Sequence, residues 1–345
     1  VWSRVGRSIG ARRLRDPGPM QPDACSPTVK GCTSDKARGP MLPGAPSKLS
    51  RKLARFALVN TLVGAVAACA WAVGRMAPGF FGLWLGSCTR CALSVGLISA
   101  LTHRGVPLSS RRQALRWGEC ALIWAKIALY FGPADALALT AAEWLAPYDA
   151  PLGLGSGALA WSGALALAAR GARFVAVSFA WELAFDLCHY WVHRACHAST
   201  ALYSLVHKTH HQHRSPSPLT TYDHSVLDVL ASNTLPALAA FGALALAGLP
   251  IRGEAERQLL FAFKAYVEVG GHAGVDARPR SFPQFMWLPA AILCGSRTPD
   301  GYAGIGGHTR EHDWHHAVLR CNFSKRFRVW DVVFGTYEWP ADRSQ

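Results

Sequence analysis

Apolar stretches long enough to cross a membrane recur along the chain. Residues 56–74 are nineteen positions without a charge, and as a helix they would cross a hydrocarbon core of roughly 30 Å at about 1.5 Å per residue. Residues 229–249 form a second such stretch, interrupted by Pro236, which a membrane helix tolerates where neighbours satisfy the freed carbonyl. Both stretches are predicted to span a membrane.

Three weaker candidates are residues 79–101, 120–139 and 154–169. Arg90, Lys126 and Asp135 lie in the first two and are costly at the middle of a bilayer. Helices that carry them are expected to be tilted, interfacial or buried against other helices. The pattern as a whole predicts an all-α integral membrane bundle with about four spans.

Composition supports a membrane protein, because half of the residues are apolar and 17% are charged. A net charge of +15 would suggest nucleic acid, but twelve Lys and Arg stand against three Asp in residues 1–55. This segment is predicted to be a disordered basic arm at the cytosol or an anionic membrane surface, with no nucleic-acid partner. An organelle transit peptide is the alternative interpretation.

The ten cysteines are scattered through apolar segments and form no paired framework, which favours a reducing compartment. Cys88 and Cys91 make a CxxC motif that no second CxxC accompanies. We interpret them as two small core residues.

Histidines carry the strongest chemical signal, because thirteen of the fourteen lie after residue 188 and most fall into three clusters. In the first cluster, His193 and His197 are about 40° apart on a helix, so both imidazoles can reach one ion. Glu182, Asp186 and His189 fall on the same stripe and give that apolar helix a polar edge.

The second and third clusters repeat one spacing, HxxHH, at residues 207–211 and 312–316. Offsets of three and four place the rings of each cluster within an arc of about 100° on one helical face. A single histidine is more often a hydrogen-bonded core residue than a ligand. Two HxxHH motifs together with an HxxxH motif indicate a shared metal site.

Neutral imidazole suits iron, zinc, copper or nickel, so ligand type does not identify the metal. Eight to ten histidines can fill two ions and leave open positions, which suggests oxygen activation. The HExxH motif of zinc proteases and the ExxH pair of carboxylate di-iron bundles are both absent from the sequence.

Residues 182–336 resemble the fatty acid hydroxylase superfamily, which includes sterol C4-methyl oxidases, sterol C5-desaturases and cholesterol 25-hydroxylase. The blocks that carry the resemblance are DLCHYWVHRACH, LYSLVHKTHH, GGHAG and HDWHH, followed by NF at 322–323 and WDVVFGT at 330–336. The metal ligands that the resemblance implies are His193, His197, His207, His210, His211, His312, His315 and His316, with His224 and His272 as the ninth and tenth.

The chain departs from the family at His224, which opens an HPxE motif in many relatives. Here Ser225 follows, and Leu227 occupies the acidic position, so either Asp228 substitutes or His224 supports a ligand from outside the metal shell. The stretch between His272 and His312 is also longer than in sterol oxidases, and its Gly- and Pro-containing part at residues 293–307 is interpreted as a lid over the substrate entrance. His103, His189, His213 and His308 have no secure counterpart and are interpreted as surface or supporting residues.

The resemblance implies a cytosolic histidine-rich cap in which two irons activate O₂ with electrons from NAD(P)H through cytochrome b5 or a similar donor. It implies a lipid substrate, a sterol or a fatty acyl chain, in the endoplasmic reticulum, or in a plastid envelope if the arm is a transit peptide. Asp186, Glu268 and Asp313 are expected to orient ligand imidazoles from outside the metal shell. The domain assignment is an arm at 1–55, membrane helices at 56–175, and a catalytic domain at 176–345 with a transmembrane hairpin near 229–270.

Two other classes of function compete with an oxygenase. A histidine-rich zinc transporter would place its ligands near the bilayer midplane, whereas the second and third clusters lie in polar sequence. A membrane haem protein needs only isolated axial histidines and does not explain adjacent pairs such as His210 and His211. A non-catalytic metal-binding relative stays an alternative, and no motif distinguishes hydroxylation from desaturation or demethylation.

Overall fold

The computed structural model describes residues 48–109, 114–146, 159–275, 281–283 and 308–339 of the 345-residue chain. Across these ranges the regular structure is helical, apart from an isolated antiparallel bridge between Pro107 and Val275. The expected all-α class is therefore confirmed for this part of the chain. Most of the basic arm, and the 293–307 stretch interpreted as a lid, lie outside the described residues.

Five helices in the described ranges are long and apolar enough to cross a membrane, one more than the four or so expected. They are α1 (Lys48–Gly74), α2 (Gly79–Thr102), α3 (Trp117–Leu145), α4 (Leu159–Ala198) and α5 (Val226–Leu246). Three shorter helices follow: α6 (Glu254–Gly271), α7 (His308–Val318) and α8 (Val329–Val333). The number that cross a bilayer stays a prediction, as does the hairpin near 229–270, for which α5 and α6 are the corresponding helices.

Glycine allows α1 and α2 to pack at backbone distance. A Cβ atom on Gly82 would lie 2.3 Å from the carbonyl oxygen of Gly74, and one on Gly86 would lie 2.6 Å from that of Ala70. Helix pairs in membranes favour small residues at such contacts, because close packing replaces the hydrophobic effect as the source of association.

A π-helical turn at Ile127–Phe131 interrupts α3 at a place where α3 packs against α2. The Ala128 carbonyl in this turn accepts a hydrogen bond from Trp84 Nε1 of α2 at 2.6 Å. Immediately after the turn, a Cβ atom on Gly132 would lie 2.5 Å from Cys88 Sγ. Cys88 thus packs between helices and Cys91 is buried, both as free thiols, which agrees with the interpretation of the CxxC motif.

The longest helix, α4, has 40 residues and extends about 60 Å, roughly twice the thickness of a hydrocarbon core. It joins much of the weak apolar stretch at 154–169 to the helix that carries the first histidine cluster. His193 and His197 consequently lie on its last turns, away from the apolar middle of the helix.

Pro236 lies in α5 just after a second π-helical segment, Val229–Thr234. Proline has no N–H to offer the carbonyl four residues earlier, which belongs to Ser232. That carbonyl instead accepts a hydrogen bond from His189 Nδ1 of α4 at 2.8 Å. The expectation that a neighbour satisfies the freed carbonyl is confirmed, and His189 acquires a helix-packing role.

Charged residues in the apolar helices are buried between helices. Arg90 of α2 has no exposed side-chain surface and lies 3.4 Å from Asp135 of α3 and 3.0 Å from Gln258 of α6. Lys264 of α6 lies 3.3 Å from the other oxygen of Asp135. This matches the expectation that such helices are buried against one another, because an unpaired charge facing lipid would be costly.

Candidate metal centre

Four elements bring the histidine clusters together. The end of α4 carries the first cluster, the 203–212 segment carries the second, α7 carries the third, and His272 directly follows α6. The 203–212 segment is not a regular helix: a π-helical turn ends at His207, and a 3₁₀ turn covers His210–Gln212. This change of pitch alters the direction of successive side chains within the cluster.

Nine of the ten expected ligands form two groups, and within each group the ligand atoms all lie within 4.8 Å of one another. The first group is His193, His197, His207, His211 and His315, and the second is His210, His272, His312 and His316. In the first group, His211 Nε2 lies 3.0 Å from His207 Nε2 and 3.2 Å from His315 Nε2. The clusters therefore meet as two adjacent sites.

In the second group, His312 Nε2 lies 2.9 Å from His272 Nε2 and 3.1 Å from His316 Nε2. The groups are contiguous, since the ring centroids of His211 and His316 are 4.6 Å apart. Each group belongs to one candidate ion.

Both HxxHH motifs divide their ligands between the two groups. In 207–211, the outer pair His207 and His211 joins the first group, and His210 joins the second. In 312–316, the outer pair His312 and His316 joins the second group, and His315 joins the first. Each motif therefore contributes to both candidate ions, with the outer pair at one and the middle histidine at the other.

Backbone carbonyls fix the tautomer of several ligands. His193 Nδ1 donates to the Phe323 carbonyl at 2.7 Å, and His315 Nδ1 donates to the Cys321 carbonyl at 2.7 Å. His272 Nδ1 donates to a carbonyl of α6 at 2.9 Å. A ring that donates through Nδ1 keeps its lone pair on Nε2, and these Nε2 atoms face the interior of each group.

The two groups fit metal ions. Two ligands bound at about 2.1 Å and separated by right or tetrahedral angles would lie roughly 3.0–3.4 Å apart, close to the observed Nε2 separations. His193 Nε2 is buried without a hydrogen-bond partner among the described residues, which is costly unless a cation binds there. Burial lowers the pKa of His272 to about 3 and the pKa of His315 to about 3, so both rings are neutral ligands at pH 7.

His224 joins neither group, but it stacks on a ring of the second group and shares the Asp228 carboxylate with a ring of the first. Asp228 is fully buried, and its Oδ2 accepts hydrogen bonds from His207 Nδ1 at 2.9 Å and from His224 Nδ1 at 2.6 Å. The His224 ring stacks on His210 with centroids 4.1 Å apart. These contacts agree with both alternatives for the altered HPxE motif, because Asp228 supplies a carboxylate one position after Leu227 and His224 lies outside both groups.

Two of the three carboxylates expected to orient imidazoles have other contacts. The Asp186 side chain accepts the backbone N–H groups of Lys325, Arg326 and Phe327. The Glu268 side chain pairs with Lys264, Lys325 and Arg326, while its backbone carbonyl orients His272. Asp313 is buried on α7. An effect of Asp186 on a ligand would be transmitted through the backbone that it holds.

The remaining histidines lie outside the two groups. His213 Nε2 bonds to Asp223 at 2.6 Å, and Asp223 also pairs with Lys126, the third charge of the apolar stretches. His103 is exposed and contacts the Ala100 carbonyl of its own helix. These contacts agree with the supporting roles expected from sequence, and the side chain of His308 lies outside the described residues.

Sequence reasoning missed the carbonyls of Cys321 and Phe323, because an orienting backbone atom leaves no mark on residue type. It also gave Asp228 only as an alternative at His224. The signal that was available is an aspartate four residues after a histidine, an offset that shares a helical face.

Comparison with known proteins identifies the part of the chain that carries this centre. Residues 178–336 match the family model described as fatty acid hydroxylase. A methylsterol monooxygenase of Aspergillus fumigatus is 30% identical over 162 residues, which cover 46% of this chain and 46% of that protein. A C-4 methylsterol oxidase of Schizosaccharomyces pombe is 28% identical over 155 residues, which cover 44% and 43%.

Cholesterol 25-hydroxylase of Rattus norvegicus is 29% identical over 154 residues, which cover 45% of this chain and 44% of that protein. The matched segment thus spans less than half of each of these relatives. No solved structure matches the chain.

Proposed function

We propose, from the match of residues 178–336 to the fatty acid hydroxylase family model, that the chain is a membrane-bound, non-haem di-iron oxygenase of lipids. The observation that carries the proposal is the pair of contiguous histidine groups, which offer nine nitrogen ligands, eight of them buried, to two ions. In the hydroxylation form of the reaction, a substrate C–H bond, O₂, two electrons and two protons yield a C–OH group and water.

The bound metal pair would supply activation of O₂, and the protein supplies everything around it. Neutral imidazoles such as those of His272 and His315 would hold the ions without losing protons at pH 7. Asp228 fixes the orientation of His207 and His224, and the carbonyls of Cys321 and Phe323 fix His315 and His193. Burial of the groups limits access of water, which protects a reactive site from side reactions.

For the substrate, we propose a sterol or a fatty acyl chain. Support comes from the relatives, which are a methylsterol monooxygenase, a C-4 methylsterol oxidase and a cholesterol 25-hydroxylase. The apolar helices would anchor the protein in the membrane in which such a substrate dissolves. By the same resemblance, we propose a cytochrome b5-type electron donor fed by NAD(P)H and a location in the endoplasmic reticulum.

Metal transport is the competing function for a histidine-rich membrane protein. A transport path would distribute polar ligands through the midplane of spanning helices. Here the ligands converge at the end of α4, on the 203–212 segment, after α6 and on α7. Closed groups of four and five imidazoles favour retention of the ions over their passage.

The test measures iron per chain and oxidised lipid for the full chain in native membranes or detergent. His211→Ala and His315→Ala should each abolish oxidation, because each removes a ligand from the first group and no described carboxylate lies within that group. His213→Ala is the matched control and should retain metal and turnover, since its ring bonds to Asp223.

Full activity in His211→Ala, or equal iron loss in His211→Ala and His213→Ala, would contradict the proposal. Product analysis in a sterol-deficient host would identify the oxidised carbon. Zinc uptake into vesicles without any lipid product would favour the transporter.

A further inference from the structure

Two blocks of the sequence, NF at 322–323 and WDVVFGT at 330–336, support the family resemblance, and the Phe323 carbonyl of the first block orients His193. We infer that they build a support for the first histidine group, and that Asp331 and Asp186 are its positioning residues. Both carboxylates would act through the backbone of residues 321–327, here called the carbonyl loop. The inference rests on the proposed di-metal centre and deepens it.

The carbonyl loop orients two of the five rings in the first group. The Phe323 carbonyl accepts from His193 Nδ1 and the Cys321 carbonyl from His315 Nδ1, each at 2.7 Å. Such an acceptor fixes both the tautomer and the rotation of the ring, and its loss typically costs about 10–100-fold in metal affinity or activity. The position of the loop therefore sets the direction in which two ligand nitrogens point.

Asp331 holds the first half of the loop. Its Oδ1 accepts the Phe323 N–H at 2.7 Å, and its Oδ2 accepts the Ser324 N–H at 2.9 Å. The Ser324 N–H and the Phe323 C=O belong to one planar peptide unit. A carboxylate, a peptide group and the His193 imidazole are thus hydrogen-bonded in series, and each bond in such a series polarises the next.

Asp186 holds the second half of the loop from α4. It accepts the N–H groups of Lys325 at 2.7 Å, Arg326 at 3.0 Å and Phe327 at 2.8 Å. Together the two carboxylates bind five consecutive backbone N–H groups, and both carboxylates are buried. His193 lies seven residues after Asp186, two turns along the same face of α4, so one helix supplies both the ligand and part of its support.

The WDVVFGT block places Asp331. Its first four residues belong to α8, and Gly335, two residues after the helix, has a φ of 69°, a left-handed conformation that favours glycine. The next residue, Thr336, donates its hydroxyl to Asp331 Oδ1 at 2.8 Å. Asn322 also adopts a left-handed φ of 56°, and its side chain accepts the Glu338 N–H at 2.9 Å, which ties the loop to the segment after α8.

The second group has a support of its own. His272 is oriented by the Glu268 carbonyl, one turn back on α6. His210 stacks on His224, which Asp228 holds. Loosening the carbonyl loop should therefore weaken one candidate ion and spare the other, a selectivity that a general loss of stability would not produce.

The experiment loads the full chain, in detergent, with Co²⁺ and measures ions per chain against a competing chelator together with the cobalt absorption spectrum. Asp331→Asn and Asp186→Asn each replace one acceptor oxygen by a donor that faces backbone N–H groups. Each variant should lower the affinity for one of the two ions by about 10–100-fold and change one part of the cobalt absorption spectrum. Asp223→Asn, a matched change at a carboxylate outside both groups, should leave both ions and the spectrum unchanged.

If Asp331→Asn and Asp186→Asn fold and keep the wild-type affinity for both ions, the inference is overturned. An equal loss of affinity for both ions would also overturn it. If Asp331→Asn does not fold, Thr336→Val decides. It removes the hydroxyl that donates to Asp331 and that also contacts the Tyr190 hydroxyl at 2.9 Å, and it should lower the affinity for the same ion by a few-fold. An unchanged Thr336→Val would also overturn the inference. Failure of the wild-type chain to bind two ions would instead refute the proposed function.

Discussion

Replacing Asp228 tests whether one buried carboxylate supports both candidate ions. Asp228 has no exposed side-chain surface, and a single oxygen accepts from both His207 and His224. Its other oxygen accepts the Ser232 hydroxyl at 2.7 Å. Because His207 is a ligand of the first group and His224 stacks on a ligand of the second, this carboxylate is a link between the two.

Two substitutions of Asp228 are expected to differ in the size of their effect on metal affinity. Asp228→Ala leaves two buried imidazole N–H groups without an acceptor, at about 1–3 kcal/mol each, or about 2–6 kcal/mol in total. If this cost appears in metal binding, the affinity for each ion should fall by about 10–100-fold, which is about 1.4–2.8 kcal/mol. Asp228→Asn keeps an oxygen for both imidazoles and turns its amide toward the Ser232 hydroxyl, so the loss should be tenfold or less.

The assay is competition between the full chain and a chelator for Co²⁺, with thermal unfolding of the same samples as the check on folding. Both ions should weaken in Asp228→Ala, unlike the single ion expected to weaken in Asp331→Asn. Wild-type affinity in Asp228→Ala would refute the argument. An Asn variant as damaged as the Ala variant would show that the charge, and not the hydrogen bonds, supports the rings.

Three further outcomes are expected. Single cysteines introduced at Arg214 and Arg310 should label from the same side of the membrane, because their histidine clusters share one site; labelling from opposite sides would contradict the single site. Gly132→Ala should lower the free energy of unfolding by about 1–3 kcal/mol, since its Cβ would lie 2.5 Å from Cys88 Sγ, and an unchanged melting temperature would show that α2 moves freely. Arg90→Met should lower the free energy of unfolding in detergent by about 3–5 kcal/mol, because it removes one partner of a buried ion pair. A stabilised variant would mean that Lys264 alone neutralises Asp135.

Much of the site could be predicted from sequence because helical spacing is short-range geometry. Offsets of three and four place histidines on one face, and the structure joins all three clusters as expected. The division of each HxxHH motif between two ions could not be predicted. The outer pair lies about 40° apart and joins one group, whereas the middle ring lies about 60° to the other side, and only the position of the neighbouring helix decides what it meets.

The fold could be predicted in class but not in detail. Residues 154–169 and the first histidine cluster belong largely to one helix, α4, although residues 170 and 173 are arginines that end the apolar run. The π-helical segments at Ile127–Phe131 and Val229–Thr234 are also invisible in sequence, because they depend on contacts such as Trp84 Nε1 to the Ala128 carbonyl. Tertiary partners decide such features, and local propensity does not.

The buried position of Arg90 has a consequence for how the chain is made. Its partner Asp135 is synthesised 45 residues later, and its partner Gln258 is synthesised 168 residues later. At the translocon, an arginine alone at the centre of a helix opposes insertion by about 2.5–3.5 kcal/mol. Helix α2 should therefore stay beside the translocon until α3 emerges and Asp135 neutralises Arg90, so that the two helices enter the bilayer as one unit. A nascent chain that stalls between them should leave α2 exposed to membrane quality control.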